Sequence, residues 1–218
     1  MASVQLIIGN KNYSSWSLRG WLLLSLSGID FEETVIDLGR PDHAAEIGRY
    51  STAGKVPILI DGDLVVHDSL AIAEYLAETA PEADLWPADR RARARARALA
   101  AEMHAGFSAL RGHLPMNCRA EITEFALTPE VETDVARVTE IWRACLHERG
   151  DGRDFLFGRP GAVDAMFAPV VSRFKTYGLA VDGTSEAYMN MVLSLPAMRQ
   201  WYAAAAAEPM VIERFEFT

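Results

Sequence analysis

Two short apolar runs, residues 56–60 (VPILI) and 64–66 (LVV), are separated only by Asp61-Gly62-Asp63. An Asp-Gly pair between such runs is a strong hairpin signal, because tight antiparallel turns need residues that accept positive φ. A hairpin is antiparallel, so it cannot belong to an all-parallel sheet. Upstream, residues 4–8 read as a strand ended by Gly9-Asn10, and residues 31–38 return to strand character. Between them Leu18, Trp21, Leu22 and Leu26 recur at helical spacing, with serines of N-cap type ahead and Gly28 of C-cap type behind. A short helix fits residues 42–50. A longer one fits residues 69–78, with Leu70, Ile72, Ala73 and Leu76 on its apolar face. A right-handed β-α-β unit joined to a hairpin and a helix predicts a four-stranded mixed sheet with helices on its faces.

That order is the thioredoxin-like arrangement, and it stops at Ala80-Pro81-Glu82-Ala83-Asp84-Leu85-Trp86-Pro87. Two prolines bracket this polar segment, as in a domain linker. Beyond it the chain is alanine-rich and helical in period, with helices expected near 88–113, 130–149, 162–177 and 196–207 and a short one near 185–193. The expected organisation is an α/β domain over residues 1–80, a linker over 81–87 and an all-α domain of about five helices over 88–218.

Half of the 218 residues are hydrophobic, enough for a self-sufficient core. The net charge of −9 argues against nucleic acid as a partner. The longest apolar helix-like run, residues 21–26, is far short of a membrane span. Cys118 and Cys145 form no CxxC pair and no Cys/His cluster, so neither a disulfide framework nor a metal site is expected. With no basic-then-apolar leader pattern at Met1-Ala2-Ser3-Val4, a reducing cytoplasm is the expected compartment.

The chemistry gathers at two places. Val56-Pro57 opens a strand, where proline is tolerated because it has no N–H to give to a ladder. Asp68-Ser69 opens a helix, whose free N–H groups attract a carboxylate. A rigid proline corner beside such an N-terminus suits a small anionic, peptide-like ligand. Ser14 and Ser15 stand at the first helix start, either as a plain N-cap or as hydroxyl donors to an anion.

Three stretches together resemble the cytosolic glutathione S-transferase superfamily. They are Ser14-Ser15-Trp16-Ser17-Leu18-Arg19, Gly54-Lys55-Val56-Pro57 and His67-Asp68-Ser69-Leu70-Ala71-Ile72-Ala73-Glu74-Tyr75-Leu76. In the second half, Phe155-Leu156-Phe157-Gly158 followed by Ala162-Val163-Asp164-Ala165 is similar to the family's capping-box helix. Gly161 replaces the usual Ser or Thr there, which leaves only the bond from the Gly161 N–H to the Asp164 carboxylate. The paired serines resemble the serine-type, zeta-like branch.

The resemblance implies glutathione as co-substrate, no metal, and a homodimer. It implies a cis Val56-Pro57 bond, whose valine backbone pairs with the cysteinyl part of glutathione, and Lys55 near the glycyl carboxylate. It implies Ser69 on the γ-glutamyl carboxylate and Asp68 facing the ammonium group. His67 is left without an assigned contact. Ser14 is the preferred thiolate donor, with Ser15 as the alternate. A donor at a helix N-terminus lowers a thiol pKa, and a shift from ~8.5 to ~6.5 raises the thiolate fraction at pH 7 from about 3% to about 75%.

The arginines at 90, 91, 93, 95 and 97 do not share one helix face, so the run reads as a solvated or dimer-facing surface. Residues 103–117, with Arg111, Asn117 and the nearby Arg119 as polar members, fall where the family's small-molecule electrophile sits. The expected activity is attack of the glutathione thiolate on that electrophile. Two alternatives remain: a glutathione-dependent cis–trans isomerase of maleylacetoacetate type, and a non-catalytic glutathione-binding protein. Against the isomerase, that branch has cysteine where this chain has Trp16.

Overall fold

The computed structural model describes residues 3–148 and 155–216. Its first half runs β1 (Val4–Gly9), α1 (Ser15–Ser27), β2 (Phe31–Ile36), α2 (His43–Gly48), β3 (Ile58–Asp61), β4 (Leu64–His67) and α3 (Ser69–Thr79). The sheet order is β2-β1-β3-β4. β1 pairs in parallel with β2, and the β1–β3 and β3–β4 pairs are antiparallel. The hairpin expected from Asp61-Gly62-Asp63 forms, and Gly62 supplies φ +62.

Successive side chains of a strand face opposite ways. Leu6 and Ile8 accordingly enter the main core, whereas Ile7 joins Ile36, Ile47 and Ile58 in a smaller cluster that includes α2. α1 is buried almost all round because the sheet, α3 and the second half of the chain enclose it. Its buried leucines each contribute about 1.5–3 kcal/mol of transfer free energy. β2 ends at Ile36, two residues earlier than expected. Asn10 draws the following residues off the sheet, accepting from Leu38 N–H (2.7 Å) and donating to the Asp37 carboxylate (3.1 Å).

The second half holds α4 (Arg90–Ala105), α5 (Ser108–His113), α6 (Pro129–His147), α7 (Ala162–Thr176), α8 (Gly183–Ser194) and α9 (Pro196–Ala207). These are six helices among the described residues, not five, because the helix expected over 88–113 is two. The chain turns at Phe107, whose φ is +57, and α5 restarts with Leu110 N–H bonded to the Asp134 carboxylate at 3.0 Å. Burial of the Phe107 ring accompanies that turn, and periodicity alone does not register it. Position 149, where the next helix was expected to end, lies outside the described residues. No described helix is long and apolar enough to cross a membrane.

α7 is buried on every face and ties the halves together. Its N-cap N–H, from Gly161, donates to Asp164 Oδ2 at 3.0 Å, as the sequence suggests. Leu156 N–H and the Tyr188 hydroxyl donate to the other oxygen. Gly161 has a steric cause: a Cβ there would lie 2.8 Å from the Leu85 carbonyl oxygen, which accepts from Ala162 N–H. The arginine run is divided among partners. Arg97 pairs with Glu74 across to α3, Arg95 with Glu148, and Arg93 donates to the Pro87 and Ala88 carbonyls.

Candidate active site

A cavity of about 500 Å³ opens where the N-termini of α1 and α3 and the turn before β3 meet the end of α4 and the start of α5. That volume suits a small molecule. Ser14, Lys55, Val56, Pro57, Asp68 and Ser69 all line it, together with Trp16, His104 and Arg111. His67, left without a contact in the sequence reading, lines it too.

Ser14 is the N-cap of α1, with extended backbone angles. Its Oγ accepts from Ser17 N–H at 3.3 Å and lies 2.7 Å from Ser17 Oγ. Ser17 Oγ in turn accepts from Gly9 N–H at 2.8 Å. Either hydroxyl can donate in the Ser14–Ser17 contact, since each oxygen has a second lone pair to accept with. Ser15 does not line the cavity, and its Oγ accepts from Arg173 Nη2 at 3.3 Å. Both serines fall in the first turn, but only one faces the corner.

Val56-Pro57 is cis, as the resemblance implied. Pro57 is buried against Gly20 of α1, where a Cβ would meet the proline ring at 2.7 Å. The absence of a side chain at Gly20 therefore lets the corner approach the helix that carries Ser14. Lys55 is exposed at the rim.

Asp68 caps α3 from an unusual backbone position, φ +78, with Oδ1 accepting from Leu70 N–H at 2.8 Å. Its Oδ2 lies 3.2 Å from His104 Nε2 on α4. Ser69 is 1% exposed, and its Oγ has no hydrogen-bond partner in the protein. A buried hydroxyl without a partner costs about 1–3 kcal/mol, so it marks a place where a ligand is expected to bond.

Behind this corner lies a cationic layer. The Trp16 ring is flanked by the guanidinium groups of Arg19 (4.3 Å) and Arg111 (5.0 Å), and its edge meets the His104 ring. Such contacts stabilise a desolvated cation. Arg19 is completely buried; Nε donates to the Met166 carbonyl, and neither Nη has a partner. Burial pushes its pKa well down, the charges of Arg173 and Arg111 add to that, and Asp68 opposes. Burial likewise brings Arg173 down to about 10, with Arg111 next in effect. Of the polar residues singled out beyond α4, Arg111 reaches the cavity, while Asn117 and Arg119 face the turn before α1. Among the described residues no three His, Cys, Asp or Glu side chains gather as a metal site.

Two family models match the chain: the glutathione S-transferase N-terminal domain over residues 13–79 and the C-terminal domain over 88–204. A probable maleylacetoacetate isomerase of Caenorhabditis elegans is 35% identical over 100 residues, 46% of either chain. The alignments cover 40% to 46% of the length of three such curated relatives. Among solved structures, a glutathione transferase homolog from Burkholderia BGR1 with bound glutathione has a TM-score of 0.72 at 25% identity, over 95% of this chain and 100% of its own. A bacterial zeta-class maleyl pyruvate isomerase has the same score and identity over 94% and 98%.

Proposed function

The chain belongs to the glutathione S-transferase family, and on that premise we propose that it binds glutathione in this corner and directs its thiolate at an electrophilic small molecule. The observation that carries the reading is the buried, unpartnered Ser69 hydroxyl, set beside Asp68 at the α3 N-terminus and sharing one cavity with Ser14 and cis Val56-Pro57. The γ-glutamyl carboxylate takes Ser69 and the free N–H groups of α3. Its ammonium takes Asp68, the cysteinyl backbone pairs with Val56, and the glycyl carboxylate meets Lys55. The sulfur then lies at the α1 N-terminus, where Ser14 donates and the helix dipole favours the anion. Arg111 and Trp16 line the side open to the second substrate.

Ser14 lines the cavity while Ser15 accepts from Arg173 outside it, which supports Ser14 as donor over Ser15. The division into domains 1–80 and 88–218 about a linker at 81–87 accords with the ranges of the two family models. A homodimer would cover Leu64 and Val65, large hydrophobic residues exposed on the edge strand β4. A cytoplasmic setting accords with Cys118 and Cys145, neither of which is in a disulfide.

Similarity to the probable maleylacetoacetate isomerase favours a second reading, glutathione-dependent cis–trans isomerisation. Trp16, wedged between two arginines, narrows the place where that branch has cysteine. One experiment separates the readings: calorimetric glutathione binding, then turnover of a panel of aryl halides and a maleyl-type cis alkene. Binding with aryl-halide turnover supports the transferase, and turnover of the alkene alone supports the isomerase. Binding without turnover leaves a binding protein, and no binding rejects all three.

A further inference from the structure

The turn that delivers Ser14 into the cavity is held by the opposite end of the chain. Within residues 9–14 the Asn10 carbonyl accepts from Tyr13 N–H (3.3 Å) and Ser14 N–H (2.9 Å), so the turn and the first residue of the site move together. The two amides in the middle of the turn are received by one carboxylate. Lys11 N–H donates to Glu208 Oε1 at 2.7 Å, and Asn12 N–H donates to Oε2 at 3.1 Å. Glu208, the C-cap of α9, is buried. Hydrogen bonds to an ionised acceptor are roughly twice as strong as neutral ones.

The neighbours of Glu208 hold it in place. Arg119 donates from Nη1 to the Glu208 carbonyl (2.8 Å) and from Nη2 to the Tyr13 hydroxyl (2.7 Å). Asn12 Nδ2 donates to Asn117 Oδ1, and Asn117 Nδ2 donates to the Phe215 carbonyl. Neither Glu208 nor Arg119 lines the cavity.

We propose that Glu208 is a positioning residue for Ser14, setting where the Ser14 hydroxyl stands relative to the glutathione sulfur. The proposal rests on Ser14 being the thiolate donor. The body of α1 is fixed by its own packing, so slack in the turn falls on its N-cap. Glu208→Gln keeps the shape but turns an NH₂ donor toward one of the two amide donors. The turn then shifts without a cavity being opened.

The test is a pH titration of the ultraviolet thiolate absorbance of glutathione bound to the full-length protein, together with calorimetric affinity for S-methylglutathione, which has no thiol to titrate. Ser14→Ala is expected to lower the thiolate fraction at neutral pH about tenfold, and Glu208→Gln roughly two- to fivefold. The affinity of Glu208→Gln for S-methylglutathione stays within about twofold of wild type, because that ligand is held mainly by the α3 corner. The double variant titrates like Ser14→Ala alone, since Glu208 acts through Ser14. A wild-type titration for Glu208→Gln, or a further shift in the double variant, overturns the proposal while leaving Ser14 in its role. A wild-type titration for Ser14→Ala rejects the donor itself, and the positioning role with it. Should Glu208→Gln fold poorly, Arg119→Gln loosens the same turn through Tyr13 and must shift the titration in the same direction; a wild-type curve there overturns the proposal as well.

Discussion

His104 Nε2 lies 3.2 Å from the Asp68 carboxylate, and the two residues stand on either side of the 81–87 segment. Asp68 tops α3 and His104 sits near the end of α4, so the contact spans the cavity mouth. The same carboxylate caps Leu70 N–H through its other oxygen. Asp68 is thus oriented from two sides.

Asp68→Asn isolates the charge from the cap. Asparagine caps helices as well as aspartate and tolerates positive φ, so the fold should be retained. Glutathione affinity should fall about tenfold for loss of one charge-assisted bond. A glutathione analogue lacking the α-amino group should bind wild type and variant equally in calorimetry. Equal losses for both ligands would show that Asp68 does not act through the ammonium group.

Gly20→Ala should disturb the site from inside the core. Its Cβ would stand 2.7 and 2.8 Å from two atoms of Pro57. Overpacking of this kind costs about 1–3 kcal/mol, and relief requires the proline corner to move away from α1. The expected result is a lower unfolding midpoint together with a raised KM for glutathione. A variant as stable as wild type would show that the corner is slack.

Gly161→Ser restores the side chain that a capping box prefers, yet it should destabilise. The added Cβ would lie 2.8 Å from the Leu85 carbonyl oxygen, a backbone atom that also accepts from Ala162 N–H and cannot swing aside. The steric term, about 1–3 kcal/mol, should exceed the few tenths of a kcal/mol that a serine cap offers over glycine. Chemical denaturation decides it, and a gain in stability would refute this account of the linker–α7 contact.

Asp164 should make stability depend on pH in an unusual direction. Burial raises its carboxyl to about 6, against the hydrogen bonds from Leu156 N–H, the Tyr188 hydroxyl and Gly161 N–H, which pull it down. The folded state therefore binds this proton more tightly than the unfolded chain, whose aspartate titrates near 3.9. The associated stability is fully present below about pH 3.9 and is lost as pH rises through about 6. The wild-type advantage over Asp164→Asn should accordingly shrink by about 1–3 kcal/mol between pH 4 and 7 in urea unfolding. An advantage that grows with pH would contradict the burial of this carboxylate.

Much of this was readable along the chain because it depends on near neighbours. The Asp61-Gly62-Asp63 turn, the serines before α1, Gly28 behind it and the Asp68-Ser69 helix start act within a few residues, and each formed where its chemistry placed it. Turn chemistry and 3.6-residue periodicity are local, and they were enough for the mixed sheet and most of the helices. The break at Phe107 was not legible, since the burial of its ring depends on residues distant in sequence.

The sequence by itself determined the mixed sheet followed by helices, and the motifs that place the chain among the glutathione S-transferases. Only the tertiary structure decided which serine faces the corner, why Gly20 and Gly161 have no side chain, and what holds the turn before α1. Each of these is a contact between segments far apart in the chain, as between Lys11 and Glu208, separated by 197 positions. Local propensity carries no information about such a partner. Packing brings the last helix back to the first turn, and a buried amide takes the acceptor that arrives there.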